Sequence, residues 1–477
     1  MNKDKLVRKL REIVGDDGVI VDEDQLITYE CDGMILNKSI PELVVLPRST
    51  EQVSQIVKLA NQESVPFTAR GSGTGLNGGA ISVKGGMLIS LTRMNKILEI
   101  DLENSLAVVE AGVNNLEVTQ AVSGQGYQYI PDPSSQASCT IGGNIAENAG
   151  GPHCLKYGVT TNYVLGLEVV LPDGRIIQLG GRTPDPPGYD LVGLMVGSEG
   201  TLGIVTKAIL RLSLKPEAVR TLLAIFNTVD DAGSAVSDII ASGIVPVTLE
   251  MMDKLTIEAV EAFVRAGYPT DAEAVLIIEI DGVREGLKEV SERIIKICQS
   301  HKVREVRVAR NEEEQALLWS GRKGAFGAIG RITRSYTVQD GVVPRTKLPE
   351  VLRKIGRIGK KYRLRIANVF HAGDGNLHPL IFFNEQSEEE RRNVVQASSE
   401  ILSACVDAGG SISGEHGIGL EKIEEMSLIF NQNDLKAMRE IKEVIDPREL
   451  CNPGKILPEL ARAPRLCGED FDSAVPA

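Results

Sequence analysis

Basic residues are in deficit. Lys plus Arg number 52 against 65 Asp plus Glu, which leaves a net charge of −13 and an isoelectric point near 5.1. A chain this acidic does not gather around a phosphate backbone through its overall field, so nucleic acid is not an expected partner. Long apolar runs are missing as well. Stretches such as Ala274 to Ile278 break at charges well short of the ~20 residues that cross a bilayer, and no transmembrane segment is expected. Met1 to Leu10 is charged throughout, without the apolar stretch of a signal peptide, which points to a cytoplasmic chain. The seven cysteines, at 31, 139, 154, 298, 405, 451 and 467, come no closer than 15 residues. They offer no C-x-x-C pair and no iron–sulfur run, and read as scattered reduced thiols. Aromatics make up only 4% and histidines number five. The remaining composition, 42% hydrophobic and 25% charged, is that of a globular protein and excludes collagen-like, mucin-like and disordered classes. At about 150 residues per domain, 477 residues make roughly three folding units or two large ones.

Short runs bounded by Gly and Pro fill the first half. Leu43–Leu46, Met87–Leu91, Leu106–Val109 and Leu165–Leu171 read as strands, and Thr50 as the N-cap of a helix with an apolar stripe at Val53, Ile56, Val57 and Ala60. Beyond Lys215-Pro216 the strand candidates 222–226, 275–280 and 303–308 alternate with long amphipathic helices at 228–241, 283–301 and 348–362. That alternation predicts a separate sheet-and-helix unit, with a boundary near residue 216. The fold class is α+β, divided into an N-terminal helical lead-in (1–39), a first domain (40–216), a second (217–430), a C-terminal return (431–458) and a tail (459–477).

Two glycine-rich segments carry the first chemical signal. Arg70-Gly-Ser-Gly-Thr-Gly-Leu-Asn-Gly-Gly79 follows a strand-like Pro66–Ala69. Closely spaced glycines let backbone N–H groups turn inward as a nest for a pyrophosphate. Gly73-x-Gly75-x-x-Gly78 satisfies the dinucleotide pattern, but the glycines that follow deny it the helix that motif must open. A second segment, Pro131 to Ser135 and then Thr140 to Gly151, reads as a loop of small residues against which a large flat ligand can lie.

Three of the five histidines lie in two compact motifs. His371-Ala-Gly-Asp-Gly-Asn-Leu-His378 sits between strand-like segments, and Asp374-Gly375 predicts a two-residue hairpin turn. Pairing 371 with 378 would place both imidazoles opposite each other on one face, a clamp for Zn, Fe or Mn. Gly414-Glu415-His416-Gly417 adds a carboxylate as third ligand and leaves His416 as a general base. Cross-strand histidines satisfied by hydrogen bonds are the bland alternative for each motif alone; their concurrence favours a site. Arg322, three residues after the only Trp, is either a bidentate carboxylate anchor or a surface arginine. Seven basic residues between 351 and 366 read as a solvated helix face that can dock a partner subunit.

Taken in order, the glycine loop, the Thr140–Gly151 segment, His-x6-His, Gly-Glu-His-Gly and the terminal Asn452-Pro-Gly-Lys455 resemble the FAD-linked oxidases of the vanillyl-alcohol oxidase fold. Within them the chain is similar to the D-subunit group of bacterial glycolate dehydrogenases, beside the D-lactate and D-2-hydroxyglutarate dehydrogenases. The resemblance runs from about residue 5 to 458. It implies a two-subdomain FAD-binding domain over 40–216 and a substrate-binding cap with an antiparallel sheet over 217–430. Arg70, Gly71, Ser72, Gly73, Thr74, Gly75, Leu76, Asn77 and Gly78 would hold the pyrophosphate. Pro131, Ser138, Gly142, Gly143, Asn144, Asn148, Gly150 and Gly158, with Ile204 and Asn452, would meet the rest of the cofactor. The first loop has no histidine for a covalent link, so the FAD is expected to be noncovalent. His371, His378 and Glu415 match the ligands of a divalent metal, His416 the base and Arg322 the carboxylate anchor.

That match implies oxidation of a small 2-hydroxy acid, with hydride passing to flavin N5. Positions where hydroxyglutarate dehydrogenases meet a second carboxylate carry Phe326, Val338 and Leu380 here. An apolar pocket leaves such a carboxylate unpaired, so glycolate or D-lactate is the expected substrate. Electrons would leave to oxygen, to quinone or to a partner, the resemblance implying a complex with a second flavoprotein-like subunit and an iron–sulfur subunit, peripheral to the cytoplasmic membrane. A dedicated D-lactate dehydrogenase and a non-catalytic FAD-binding scaffold subunit are the competing readings.

Overall fold

The structure, a computed structural model, describes residues 3–184 and 187–459. Nearly all of the tail expected from 459 onward lies outside them. Three larger sheets organise the described residues, and Tyr127–Gln128 pairs with Ser213–Leu214 in a small fourth. The first has the order Val19–Ile20, Leu43–Val45, Met87–Ser90, Phe67–Arg70, and its last three strands run parallel. Helices Lys3–Val14 and Thr50–Glu63 cover it, and Leu6 and Leu10 meet Val53, Ile56 and Val57 in one core. Each such side chain contributes ~1.5–3 kcal/mol by leaving water. The N-cap of Thr50–Glu63 is Ser49, which accepts from Gln52 N–H at 3.3 Å. The reading that placed the cap at Thr50 is corrected because Thr50 is buried and donates its hydroxyl to Glu168 instead.

The second sheet is antiparallel, with the order Ile97–Asp101, Leu106–Glu110, Ile204–Arg211, Val164–Val170, Ile176–Gly180. Against it packs Ile141–Glu147, a two-turn helix capped by Thr140. The small residues there predict a loop against a flat ligand, with glycine-rich helix ends as the alternative, and the structure has the helix. Its glycine at 142 allows close packing: a Cβ on Gly142 would lie 2.8 Å from that of Ala111.

The chain leaves the second sheet at Arg211 and enters the third at Ala218. This larger antiparallel sheet has the order Glu305–Val308, Ala218–Phe226, Ala274–Gly282, Thr248–Asp253, Arg365–His371, Asn376–Leu377, Gly341–Val342, and Pro379–Phe383 joins Ser335–Val338 beside it. Its strands Ala218–Phe226, Thr248–Asp253 and Ala274–Gly282 are largely apolar on both faces because helices cover both. Leu222, Ala224 and Phe226 pack with Val229–Ala241, Leu348–Tyr362 and Glu388–Asp407; Leu223 and Ile225 pack with Lys254–Phe263 and Ala325–Ile329. On the basic helix Leu348–Tyr362, Arg353 pairs with Asp230, Lys354 with Glu350 and Lys361 with Glu400. After the helix Gln432–Ile445 the chain returns to the first sheet. Phe67 N–H donates to Leu450 O and Asn452 N–H to Phe67 O, at 2.8 and 2.7 Å, beside the strand that leads into the glycine loop.

Candidate active site

The third sheet delivers two histidines to one point. His371 ends its strand directly opposite Glu250, and its Nδ1 lies 2.7 Å from Glu250 Oε1. The turn beyond it differs from the expected one. His371 pairs with Asn376, not His378, and the same register continues through Asn368 opposite Pro379. A two-residue type I′ turn needs positive φ at both centres. Only Gly375 has it, at +80°, so the turn widens to residues 372–375. The imidazoles still share a face as diagonal neighbours, their ring centroids 5.1 Å apart.

The loop Ser411–Gly419 brings the carboxylate. Glu415 Oε1 stands 3.2 Å from His371 Nε2 and 3.1 Å from His378 Nε2. Each histidine has its other nitrogen beside an acceptor: His371 Nδ1 beside Glu250, and His378 Nδ1 3.3 Å from Gln339 O. Holding Nδ1–H in this way leaves the Nε2 lone pair for a cation, the arrangement metal-ligating histidines adopt. Without a metal, burial disfavours charge on His371, but Glu250 and Glu415 outweigh it and raise its pKa well above the ordinary value. A divalent ion would take that proton's place.

The shape of the loop comes from Asp340, fully buried among its backbone amides. Asp340 accepts from the Ser413 hydroxyl at 2.7 Å and from Gly414, His416 and Glu415 N–H at 3.0, 2.9 and 3.2 Å, with Lys422 Nζ at 3.3 Å. Burial by itself would raise the carboxyl, yet His416, Lys422 and His378 hold it well below the carboxylate range. Asp340, His378 and His416 also cluster at ligand distance. With five donors already on its carboxylate, Asp340 has little left to give a second ion, so His371, His378 and Glu415 are the better metal triad. His416 stacks on His378 with centroids 4.9 Å apart. Burial lowers its pKa to about 4, and its Nδ1 has no hydrogen-bond partner. A neutral imidazole with a free nitrogen is ready to take a proton.

His378, Glu415 and His416 line a cavity of about 550 Å³. Arg70 to Leu76 line it too, as do Gly142, Gly143, Asn144, Gly150 and Ile204. Gly73 adopts φ +71°, and a Cβ there would overlap the Arg70 guanidinium. A Cβ on Gly71 would lie 2.1 Å from Thr140 Oγ1, so the glycine loop and the capped helix meet with no room for side chains. This cradle of bare backbone, lined by Arg70 and by the histidines, suits an anionic cofactor.

Several expected cofactor residues do not line the cavity. Asn77 is fully buried behind the loop, and Gly78 turns beside it at φ +80°. Pro131 O accepts from Asn115 Nδ2, Ser138 N–H donates to Ser135 O, and Asn148 ends the short helix at φ +52° while its Oδ1 accepts from Thr161 N–H. Gly158 turns at φ +81°, and Asn452 Nδ2 donates to Gly79 O and Glu199 O. Arg322 is likewise not in the cavity wall. Its Nε donates to Glu250 Oε2 at 2.8 Å, while Nη2, 2.6 Å from the same oxygen, makes no hydrogen bond of acceptable geometry. On the cap side Phe326 and Val338 reach the wall, whereas Leu380 is buried outside it. Lys323, Arg334 and Thr337 line that wall as well, so it is not wholly apolar as expected.

Sequence reasoning missed Glu250, Asp340, Glu199 and the half-buried pair His153–Asp132 (2.7 Å). For Glu250 a signal existed, a lone acid within the apolar Leu249-Glu-Met-Met252 of a doubly covered strand. For the others, only the folded chain shows their partners.

Residues 41–180 match the family described as "FAD binding domain", and residues 215–456 the family "FAD linked oxidases, C-terminal domain". The chain belongs to these FAD-linked oxidases and is an FAD-dependent oxidoreductase. It is 46% identical to the "Glycolate oxidase subunit GlcD" of Escherichia coli K12 over 462 residues, covering 97% of this chain and 93% of that one. The subunit of the same name from Bacillus subtilis is 43% identical (91% and 93% covered), and the "D-lactate dehydrogenase" of Anaerostipes hadrus 36% (96% of each). Among solved structures, 4-ethylphenol oxidase from Gulosibacter chungangensis superposes with a TM-score of 0.81 at 20% identity, over 96% of this chain and 97% of that one. p-Cresol methylhydroxylase follows at 0.80 and 20%, over 95% and 96%. At that identity they establish the fold, which is of the vanillyl-alcohol oxidase type.

Proposed function

We propose that this protein oxidises a small 2-hydroxy monocarboxylate, glycolate to glyoxylate and D-lactate to pyruvate, on a noncovalently held FAD with a divalent metal beside it. The observation that carries the reading is the convergence of His371 and His378 on Glu415, each Nε2 within 3.2 Å of its Oε1, with neutral His416 stacked on His378, and with His378, Glu415 and His416 lining the same cavity as the glycine loop. When bound, the flavin accepts a hydride and the metal acidifies the substrate hydroxyl. Arg70 and the amides of the glycine loop take the pyrophosphate charge. His371, His378 and Glu415 hold the metal. Arg322, ion-paired with Glu250 behind the cavity wall, is the candidate anchor for the substrate carboxylate. His416 removes the hydroxyl proton, and its low basicity keeps it unprotonated at neutral pH.

Electrons then leave the chain. Among the described residues no group of cysteines gathers to hold a cluster, and the GlcD relatives are named as subunits. In the proposed reading the acceptor is quinone or a partner complex with a flavoprotein-like and an iron–sulfur subunit, at the inner face of the cytoplasmic membrane; the naming of those relatives as subunits supports a partner. Among the described residues no helix is long and apolar enough to cross a membrane.

Anaerobic mixing of the yellow protein with glycolate, D-lactate and L-lactate tests the reading. Bleaching by glycolate or D-lactate and not by L-lactate is expected. A flavoprotein that none of the three bleaches would refute the small-hydroxyacid assignment.

A further inference from the structure

The loop that carries Glu415 and His416 is clamped at both ends by carboxylates, and the second clamp comes from the flavin-binding half of the chain. Asp340 holds residues 413–416. Glu199 holds the next two: Ile418 N–H donates to Glu199 Oε1 at 2.7 Å and Gly419 N–H to Oε2 at 2.6 Å. Asn77, from the glycine loop, completes the joint. Its Nδ2 donates to Glu147 Oε2 at 2.7 Å and to Glu199 Oε2 at 3.2 Å, and its own carbonyl accepts from Leu420 and Glu421 N–H at 2.8 and 3.2 Å. The packing leaves no slack. A Cβ on Gly417 would lie 2.7 Å from each of Asn77 Nδ2, Glu147 Oε2 and Glu199 Oε1, and one on Gly419 would lie 2.2 Å from Asn77 O.

Backbone strain marks the same place. Glu199 adopts φ +51°, a region disfavoured for a residue with a side chain, and such strain persists only where the surroundings over-determine it. Here they do: Glu199 N–H donates to Ala146 O at 2.8 Å, and its carbonyl accepts from Asn452 Nδ2 at 2.8 Å. Glycine would sit more comfortably, but it lacks the carboxylate that ties the loop down.

We infer that Glu199 is a positioning residue that joins the anion-binding glycine loop to the loop bearing Glu415 and His416, so that occupancy of the flavin site and of the His371–His378–Glu415 metal site strengthen each other. The inference rests on the functional reading above. Arg70 to Leu76 line the cradle, and Asn77, next in the chain, holds Glu199 and residues 420–421, while Glu199 holds 418–419, so the contacts run without a break from one site to the other. Glu415, three residues before Ile418, then has one position from which to complete the metal triad. Coupling of this kind is reciprocal: whatever factor the metal contributes to FAD affinity, FAD contributes to metal affinity.

The test is a binding cycle on the full chain, read by flavin fluorescence and independent of turnover. The FAD dissociation constant is measured after chelation and again with saturating Zn²⁺. Wild-type protein should bind FAD at least ~5-fold more tightly when Zn²⁺-loaded, the lower end of ordinary coupling. Zn²⁺ should gain the same factor from FAD. Glu199→Gly relieves the positive φ while deleting the carboxylate, and should bring the ratio to within about 2-fold of one. Glu199→Gln, which keeps one acceptor oxygen, should fall between. A wild-type ratio near one overturns the inference and needs no variant. A full ratio surviving in Glu199→Gly also overturns it. Either result leaves the functional reading standing if glycolate or D-lactate still bleaches the flavin, whereas a protein that neither holds FAD nor bleaches removes that reading itself.

Discussion

Replacing Glu250 with glutamine should disturb two residues at once. Glu250 accepts from Arg322 Nε at 2.8 Å through one oxygen and faces His371 Nδ1 at 2.7 Å through the other, and all three side chains are almost wholly buried. Glutamine preserves the volume, so no cavity term enters. It can still accept from one neighbour, but its amide N–H₂ then points at the other, donor against donor. Removing one partner from a buried ion pair strands the remaining charge, at a cost of ~3–5 kcal/mol. Loosening the carboxylate behind a metal-binding histidine lowers metal affinity ~10–100-fold. Both are measurable on one preparation, stability by urea titration of the metal-free protein and affinity by Zn²⁺ competition against a chromophoric chelator. A Glu250→Gln protein within 1 kcal/mol of the parent and within ~2-fold in Zn²⁺ affinity would refute the argument, because neither the buried pair nor the oriented imidazole would then depend on this carboxylate.

His416→Gln should lower kcat by ~10²–10⁴ while flavin and metal content stay at parental levels, since only the proton acceptor is lost; equal loss of bound cofactor would point to a structural role instead. Gly71→Ala places a Cβ 2.1 Å from Thr140 Oγ1, an overlap costing ~1–3 kcal/mol, and the protein should emerge from gel filtration depleted of FAD; retention of full yellow colour would contradict the close-packed cradle. His153 answers to pH. Burial by itself would lower its pKa, but Asp132 and Glu279 outweigh it and raise it to about 10. A group raised on folding stabilises fully below its unfolded pKa, near ~6.5, and that contribution fades as pH climbs toward 10. The stability gap between parent and His153→Gln, on the order of 2–4 kcal/mol at pH 6, should therefore shrink by pH 10 in urea titrations, and a gap constant across that range would refute the assignment.

Helices such as Thr50–Glu63 and Leu348–Tyr362 were legible because their apolar residues recur with the helical period and cover one face. The glycine loop and the two histidine motifs were legible because each is contiguous, and a chain with five histidines that places three of them in two short motifs has few bland explanations. The local errors share a cause: a preference of the chain was overruled by its surroundings. Gly142 and Gly143 weaken a helix, yet Thr140 caps one and Ala111 packs against it. Asp374-Gly375 favours a two-residue turn, yet Asp374 stays out of the left-handed region and the turn takes four.

By itself, then, the sequence determined which groups are the candidates for the chemistry and which segments carry them: the bare backbone of 70–79, the two imidazoles of 371–378, the Glu-His pair of 415–416. Only the tertiary structure decided what holds them at working distance. His371 is oriented by Glu250, 121 residues away; the loop of Glu415 and His416 is shaped by Asp340, up to 76 residues back; its far end is tied to Glu199, 219 residues back. Periodicity and spacing report contacts within a turn of helix or across a hairpin. A buried carboxylate finds its donors only when separate sheets close around it, and the cost of leaving any of those groups unpaired in the interior is what makes the closed arrangement specific.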